Sequence, residues 1–246
     1  MPSLTCFNAR FTPSWGISLL AVLMILLFTR LGFWQLQRAD EKKHMLSSHR
    51  ELAKQTPILW QASSKLPKQY QQIKVQGHFL PKVLLHDNQH YQHQFGYHVI
   101  SPILLVNGQV VLVDRGWIAG DVSRQILPIT NAPVGRVNIV GSVYYPSEKN
   151  WVLGQVIEEK RKDLAVVELI DTQLISQVLH KSVYPFIIRL GDHEAGGYIR
   201  DWSIVAMPPM RHYAYALQWF AMALVILILF IALNIRTKKK HENRSA

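Results

Sequence analysis

The chain has 246 residues, a formal net charge of +11 and a single cysteine. Basic charge on this scale suggests nucleic acid, but much of it sits in one terminal cluster (Arg236, Lys238, Lys239, Lys240 and Arg244 against Glu242), which points to a membrane surface instead. The lone Cys6 excludes an internal disulfide and copper transfer by paired thiolates.

Phe11 to Thr29 carry no charge, and Ile17 to Phe28 are almost wholly apolar. About 20 helical residues, each rising about 1.5 Å, cross a hydrocarbon layer about 30 Å thick. No small-x-small cleavage site follows the run, so it reads as a signal anchor and not as a cleaved signal peptide. The leader is short for a mitochondrial transit peptide, and a bacterial protein is expected. The helix is expected to continue through Leu36 to Leu52, with Asp40, Glu41, Lys42 and Lys43 on its wet side.

Strand periodicity dominates the middle. Ile103 to Val106 and Val110 to Val113 flank Asn107-Gly108, the strongest short-range hairpin signal, because both turn residues need positive φ. Further strands are expected at Gln71–Phe79, Val83–His86, Gly96–Ile100, Val137–Tyr145, Ala165–Ile170, Phe186–Leu190 and Ile199–Val205. Asp171–His180 reads as a short helix, with Asp171 as N-cap and Leu174, Ile175, Val178 and Leu179 on one face.

Tyr213 to Ile235 form a second uncharged run. The expected fold class is thus membrane-anchored α+β, with two transmembrane helices flanking a mainly antiparallel β domain with a short helix. Its parts are a cytoplasmic leader (1–13), a first transmembrane helix (14–36), a periplasmic mainly-β domain (37–207), a second transmembrane helix (212–235) and a basic cytoplasmic tail (236–246). The tail sets the orientation: positive residues stay cytoplasmic, two spans return the chain to the same side, and the middle domain lies outside. Arg30, Arg38, Lys42 and Lys43 after the first span argue the other way. The density of the tail outweighs them, since a long domain translocates largely regardless of charge.

Common enzyme signatures are missing, with no Gly-rich phosphate loop, nucleophile elbow or Cys-x-x-Cys. The chain is not expected to be an enzyme. His193-Glu194-Ala195-Gly196-Gly197 has glycine where a zinc-protease helix has its second histidine, and it reads as a loop. His86, His90, His93 and His98 have spacings that suit zinc or copper, but their Gln/Asn-rich setting equally suits a solvated hairpin loop. No metal site is assigned.

The membrane boundaries are more informative. Leu31 to Lys42 follows the first span and Pro208 to Phe220 enters the second, so both lie at the outer interface. His212, Tyr215 and Trp219 share a helical face by spacing. An aromatic belt explains Trp34 and Trp219. It does not explain Gln218 about two turns into an apolar helix, or a histidine at the helix mouth. Asp114-Arg115-Gly116-Trp117 ends the Asn-Gly hairpin. It suits a structural Asp–Arg pair with Gly116 at a bulge, or a docking surface.

Together these segments resemble the surfeit-locus (Surf/Shy-type) family of cytochrome c oxidase assembly factors. The resemblance rests on Leu31-Gly32-x-Trp34-Gln35-Leu36-x-Arg38-x-x-Glu41-Lys42, Gly77-x-Phe79, Gly96-Tyr97-x-Val99-x-x-Pro102, Leu112 to Ile118, and His212-x-x-Tyr215-Ala216-x-Gln218-Trp219-Phe220. It implies a multi-pass inner-membrane factor, not an enzyme, that helps to insert haem a into oxidase subunit I. Subunit I is the implied partner, haem a synthase a second candidate, and nucleic acid is not expected. By position, His212 is the implied haem ligand. The amphipathic shape of haem a suits a histidine at the bilayer surface with aromatic rings beneath, so Tyr215, Gln218, Trp219 and Trp34 join His212 as candidate haem contacts. Arg38 and Arg115, and also Arg211, suit its propionates, although the resemblance assigns Arg211 no role. The alternative is a structural chaperone that stabilises nascent subunit I without binding haem.

Overall fold

The computed structural model describes residues 4–6, 9–11, 13–61, 65–146 and 156–237. Lys238, Lys239, Lys240, Glu242 and Arg244 of the basic tail lie outside the described residues, as does part of the leader. The chain divides into two units, one of Met1–Leu46 with Val205–Ala246 and the other of Ser47–Ile204.

The first unit holds the apolar segments. Helix α1 (Trp15–Ala53) begins here and runs on into the second unit, while α3 (Pro209–Asn234) starts with proline in its first turn, where the missing N–H costs nothing. Both helices are long and apolar enough to cross a membrane. Their large side chains, such as Leu26, Leu217 and Leu224, are mostly exposed, whereas the buried positions are small: Ala21, Gly32 and Ala39 on α1, Ala216 and Ala223 on α3. Small residues permit close helix approach where apolar burial gives no drive in lipid. Three short strands, β1 (Leu4–Cys6), β2 (Ala9–Phe11) and β12 (Ile235–Thr237), form an antiparallel sheet.

The second unit is built on nine strands: β3 (Ile58–Leu59), β4 (Gln72–Phe79), β5 (Val83–Tyr91), β6 (Gln94–Leu105), β7 (Val110–Ala119), β8 (Arg136–Tyr144), β9 (Ile157–Arg161), β10 (Leu164–Val167) and β11 (Val183–Leu190). Their order is β3-β4-β8-β11-β7-β6-β5-β10-β9, and a further β4–β6 pairing closes β4, β8, β11, β7 and β6 into a ring. The ring interior holds Ile73, Val75, Val111, Val113, Val143, Phe186 and Ile188. Alternate residues face outward, where Leu112 and Ile187 pack with Ile175 of α2 (Thr172–Leu179).

The sheet is mixed and not mainly antiparallel: β3–β4, β5–β10 and β7–β11 run parallel. Strands β7 and β11, apolar on both faces, carry the near-continuous hydrophobic runs of strands covered on two sides. A turn forms at Asn107-Gly108, but of its two residues only Gly108 has positive φ, at 81, and the Leu105 amide donates to the Gln109 carbonyl across a three-residue loop. Asp171 caps α2 by accepting from the Gln173 and Leu174 amides. The expected strand at Ile199–Val205 is only an isolated bridge from Ile199 to Trp117. There the backbone follows side-chain anchors: Trp202 donates Nε1–H to the Leu190 carbonyl, and Arg200 binds the Gly191 and Glu194 carbonyls.

Candidate functional site

Within the first unit, α1 and α3 meet through a polar contact flanked by aromatic ones. The Nδ1 of His212 lies 2.8 Å from Oε1 of Gln35. An amide oxygen only accepts, so Nδ1 is the donor in this contact. The Nε2 is buried and has no hydrogen-bond partner. An imidazole fixed through one nitrogen and unpartnered at the other is the arrangement metal-ligating histidines adopt. Tyr213 donates to Asp40 at 3.2 Å, fixing the same end of α3.

On the apolar side, Phe28 packs on Trp219 with ring centroids 5.6 Å apart, and Phe33 meets Phe220 edge-on at 5.4 Å. Gly32 makes room for Phe220, for a Cβ there would lie 2.6 Å from the ring.

The expected site residues divide. His212 and Trp219 face α1, while Tyr215 and Gln218 are exposed on other faces of α3. Trp34 is 47% exposed, with the Arg38 guanidinium 5.7 Å from its ring and Arg38 paired to Glu41 at 2.8 Å. Arg115 belongs to the second unit and is buried. Its guanidinium donates to the Gly196 carbonyl at 2.5 and 2.8 Å and to the Asn131 carbonyl at 2.7 Å. It also lies 5.0 Å from the Tyr198 ring centre. The expected Asp114–Arg115 pair does not form, because consecutive strand residues point to opposite faces. Asp114 instead accepts from His98 Nδ1 at 2.9 Å and from the Gly116 amide at 3.0 Å.

Gln35 and Asp40 are the polar partners that reading the sequence missed. Gln35 directly follows Trp34 in the quoted motif, and its uncharged amide so close to the apolar run is the available signal.

The histidine-rich stretch forms the expected hairpin, with His90 and His93 exposed near its tip, but more of it is strand and less of it loop than expected. Strands β5 and β6 continue through it to a two-residue turn in which Gln92 and His93 both have positive φ. His86 pairs across the ladder with His98. Among the described residues no group of three or more His, Cys, Asp or Glu side chains is arranged to hold a metal ion.

A profile described as the SURF1 family matches residues 22–224, spanning both helices and the β domain. A SURF1-like protein of Rickettsia felis is 28% identical over 222 residues, covering 87% of this chain and 95% of its own length. One from Rickettsia conorii is 28% identical over 209 residues, covering 82% and 84%. Another from Rickettsia prowazekii is 26% identical over 227 residues, covering 87% and 88%.

Proposed function

The chain belongs to the SURF1 family, and from that premise we propose that it is a membrane assembly factor for haem–copper (cytochrome c) oxidase that binds or relays haem a for insertion into subunit I. Both termini lie in the cytoplasm, the apolar parts of α1 and α3 cross the inner membrane, and the β domain is periplasmic. No chemical step is catalysed, and the work of the site is binding and positioning.

The observation supporting haem is the unpartnered Nε2 of His212, whose ring is held by Gln35 and bordered by apolar rings. These residues fit the group: imidazole suits the iron, and Phe28 and Trp219 suit the macrocycle. When bound, haem would supply an iron for which His212 would be the nitrogen donor. Arg38, exposed beside Trp34, is the cation in this unit placed to meet a propionate.

The test is the absorption spectrum of detergent-purified protein made beside haem a synthase. A haem band is expected in the native protein and its loss in His212→Ala, with membrane insertion retained. An unchanged spectrum in that variant counts against the reading. The close packing at Gly32 and Phe220 favours a second reading, a chaperone whose helices only support subunit I. Absence of haem a from the native protein, when synthase is present, would decide for it.

A further inference from the structure

On the outer face of the ring, polar residues line up across neighbouring strands where apolar ones would be expected. Gln72 of β4 pairs with Ser142 of β8, Ser142 with Arg189 of β11, and Arg189 with Asp114 of β7. His98 continues the row through its bond to Asp114, and His86 pairs with His98 in turn. Directly paired residues share a face, so this is one polar belt made by six strands.

Arg189 is its unresolved member. Its Nε and Nη1 are buried without an acceptor. Among the described residues no carboxylate lies within salt-bridge distance of it, since Asp114 is bound to His98 and to the Gly116 amide. Its guanidinium lies 3.8 Å from the Tyr144 ring centre and 5.5 Å from that of Trp202, which shapes the cation but supplies no counter-charge. A buried cation with orphan donors is costly unless something completes it. Burial pulls Arg189 below its ordinary pKa, although the charge of Asp114 opposes the shift.

Arg189 lines an open cleft of about 580 Å³ whose walls all belong to this unit. Gln72, Ser142, His49, His193 and Trp202 share the wall. Ser142 and Gln72 offer neutral hydrogen bonds. His49 sits below the usual imidazole range, by burial first and by the charge of Arg189 second, so it is neutral at physiological pH. The volume falls in the range of small-molecule sites, about 300–1,000 Å³, and is far too large for a bare inorganic ion.

We propose that this cavity binds an organic small molecule carrying a carboxylate, with Arg189 meeting the carboxylate and Trp202 its unsaturated or apolar body. A monoanion suits the site better than a phosphate. Arg189 is the guanidinium here with orphan donors, since Arg200, the other in the wall, is bound to the Gly191 and Glu194 carbonyls; Asp192, Glu194 and Asp201 also line the cavity, so a second negative charge would be repelled.

The test is calorimetric titration of the full-length protein in detergent with naphthoate, naphthylmethanol and naphthyl phosphate. Naphthoate is expected to bind saturably, and Arg189→Gln to weaken it about tenfold to a hundredfold, the usual range for losing a charged hydrogen-bond partner. The neutral alcohol should bind the native protein at least about tenfold more weakly than the acid, a comparison that needs no variant to fold. Absent naphthoate binding, equal affinity for acid and alcohol, or tighter binding of the phosphate overturns the proposal. Arg189→Gln should keep the haem band of the native protein. Its loss in that variant overturns the assignment of a site separate from His212.

Discussion

His212 and Gln35 lie 177 positions apart in the chain, yet their side chains meet at 2.8 Å with Nδ1 as the donor. Gln35→Leu leaves the helix apolar but removes the acceptor, freeing the ring to rotate and change tautomer. Haem affinity should fall by about 10–100-fold, the usual cost of losing a ligand's outer partner. Titration of haem into the purified variant measures it, and an unaltered binding curve would remove Gln35 from the site.

Gly32→Val should loosen the same helix pair. The new Cβ would lie 2.6 Å from the Phe220 ring, and overpacking of this kind costs about 1–3 kcal/mol. A lowered melting temperature in detergent is expected, with partial recovery in the double variant Gly32→Val/Phe220→Leu. Lack of recovery would place the clash elsewhere.

Arg115→Met should act on the β domain. It removes the charge-assisted ties to the Gly196 and Asn131 carbonyls, and a hydrogen bond to a charged group contributes about 1.5–3 kcal/mol. The midpoint of urea unfolding should fall accordingly. A stability equal to that of the native protein would show that Arg115 is not an interior tie.

His86 gives the domain an acid limb. Burial, chiefly, holds it down to about 4 from an ordinary 6.5; His98 adds to the lowering, while Asp114, Asp87 and a bond to the Glu168 backbone oppose it. Between those values the unfolded chain binds more protons than the folded one, so stability rises with pH. The contribution is complete above pH 6.5 and is lost on acidification towards pH 4, at up to about 1.4 kcal/mol per pH unit. His86→Gln should flatten this limb in denaturation curves taken across the window, and an unchanged slope would refute the assignment.

Local signals in the sequence were legible where the physics is local. The cap at Asp171 follows from local preference and forms as expected, whereas the turn at Asn107-Gly108 has positive φ at Gly108 and not at Asn107. The turn at Gln92-His93 has positive φ at both positions but lacks the residues that advertise it, so the strands reach further into this hairpin than periodicity shows. The parallel pairings of β5 with β10 and of β7 with β11 depend on partners far along the chain, which periodicity within a strand does not encode. At the membrane boundary His212 stood out as a histidine beside an apolar helix. The face it uses did not, because Tyr215 and Gln218 share its neighbourhood in sequence and turn away from α1 in space.

The two rims of the nine-stranded sheet are blunt. β3 has only two residues, and β9 exposes Glu158, Glu159, Lys160 and Arg161, with Glu159 bound to Lys82 at 2.6 Å. Charged or very short borders make poor templates for an incoming backbone. Unassembled copies crowded at the bilayer are thereby protected from zipping into fibrils, and any client has to recognise side chains, not hydrogen-bond along an open ladder.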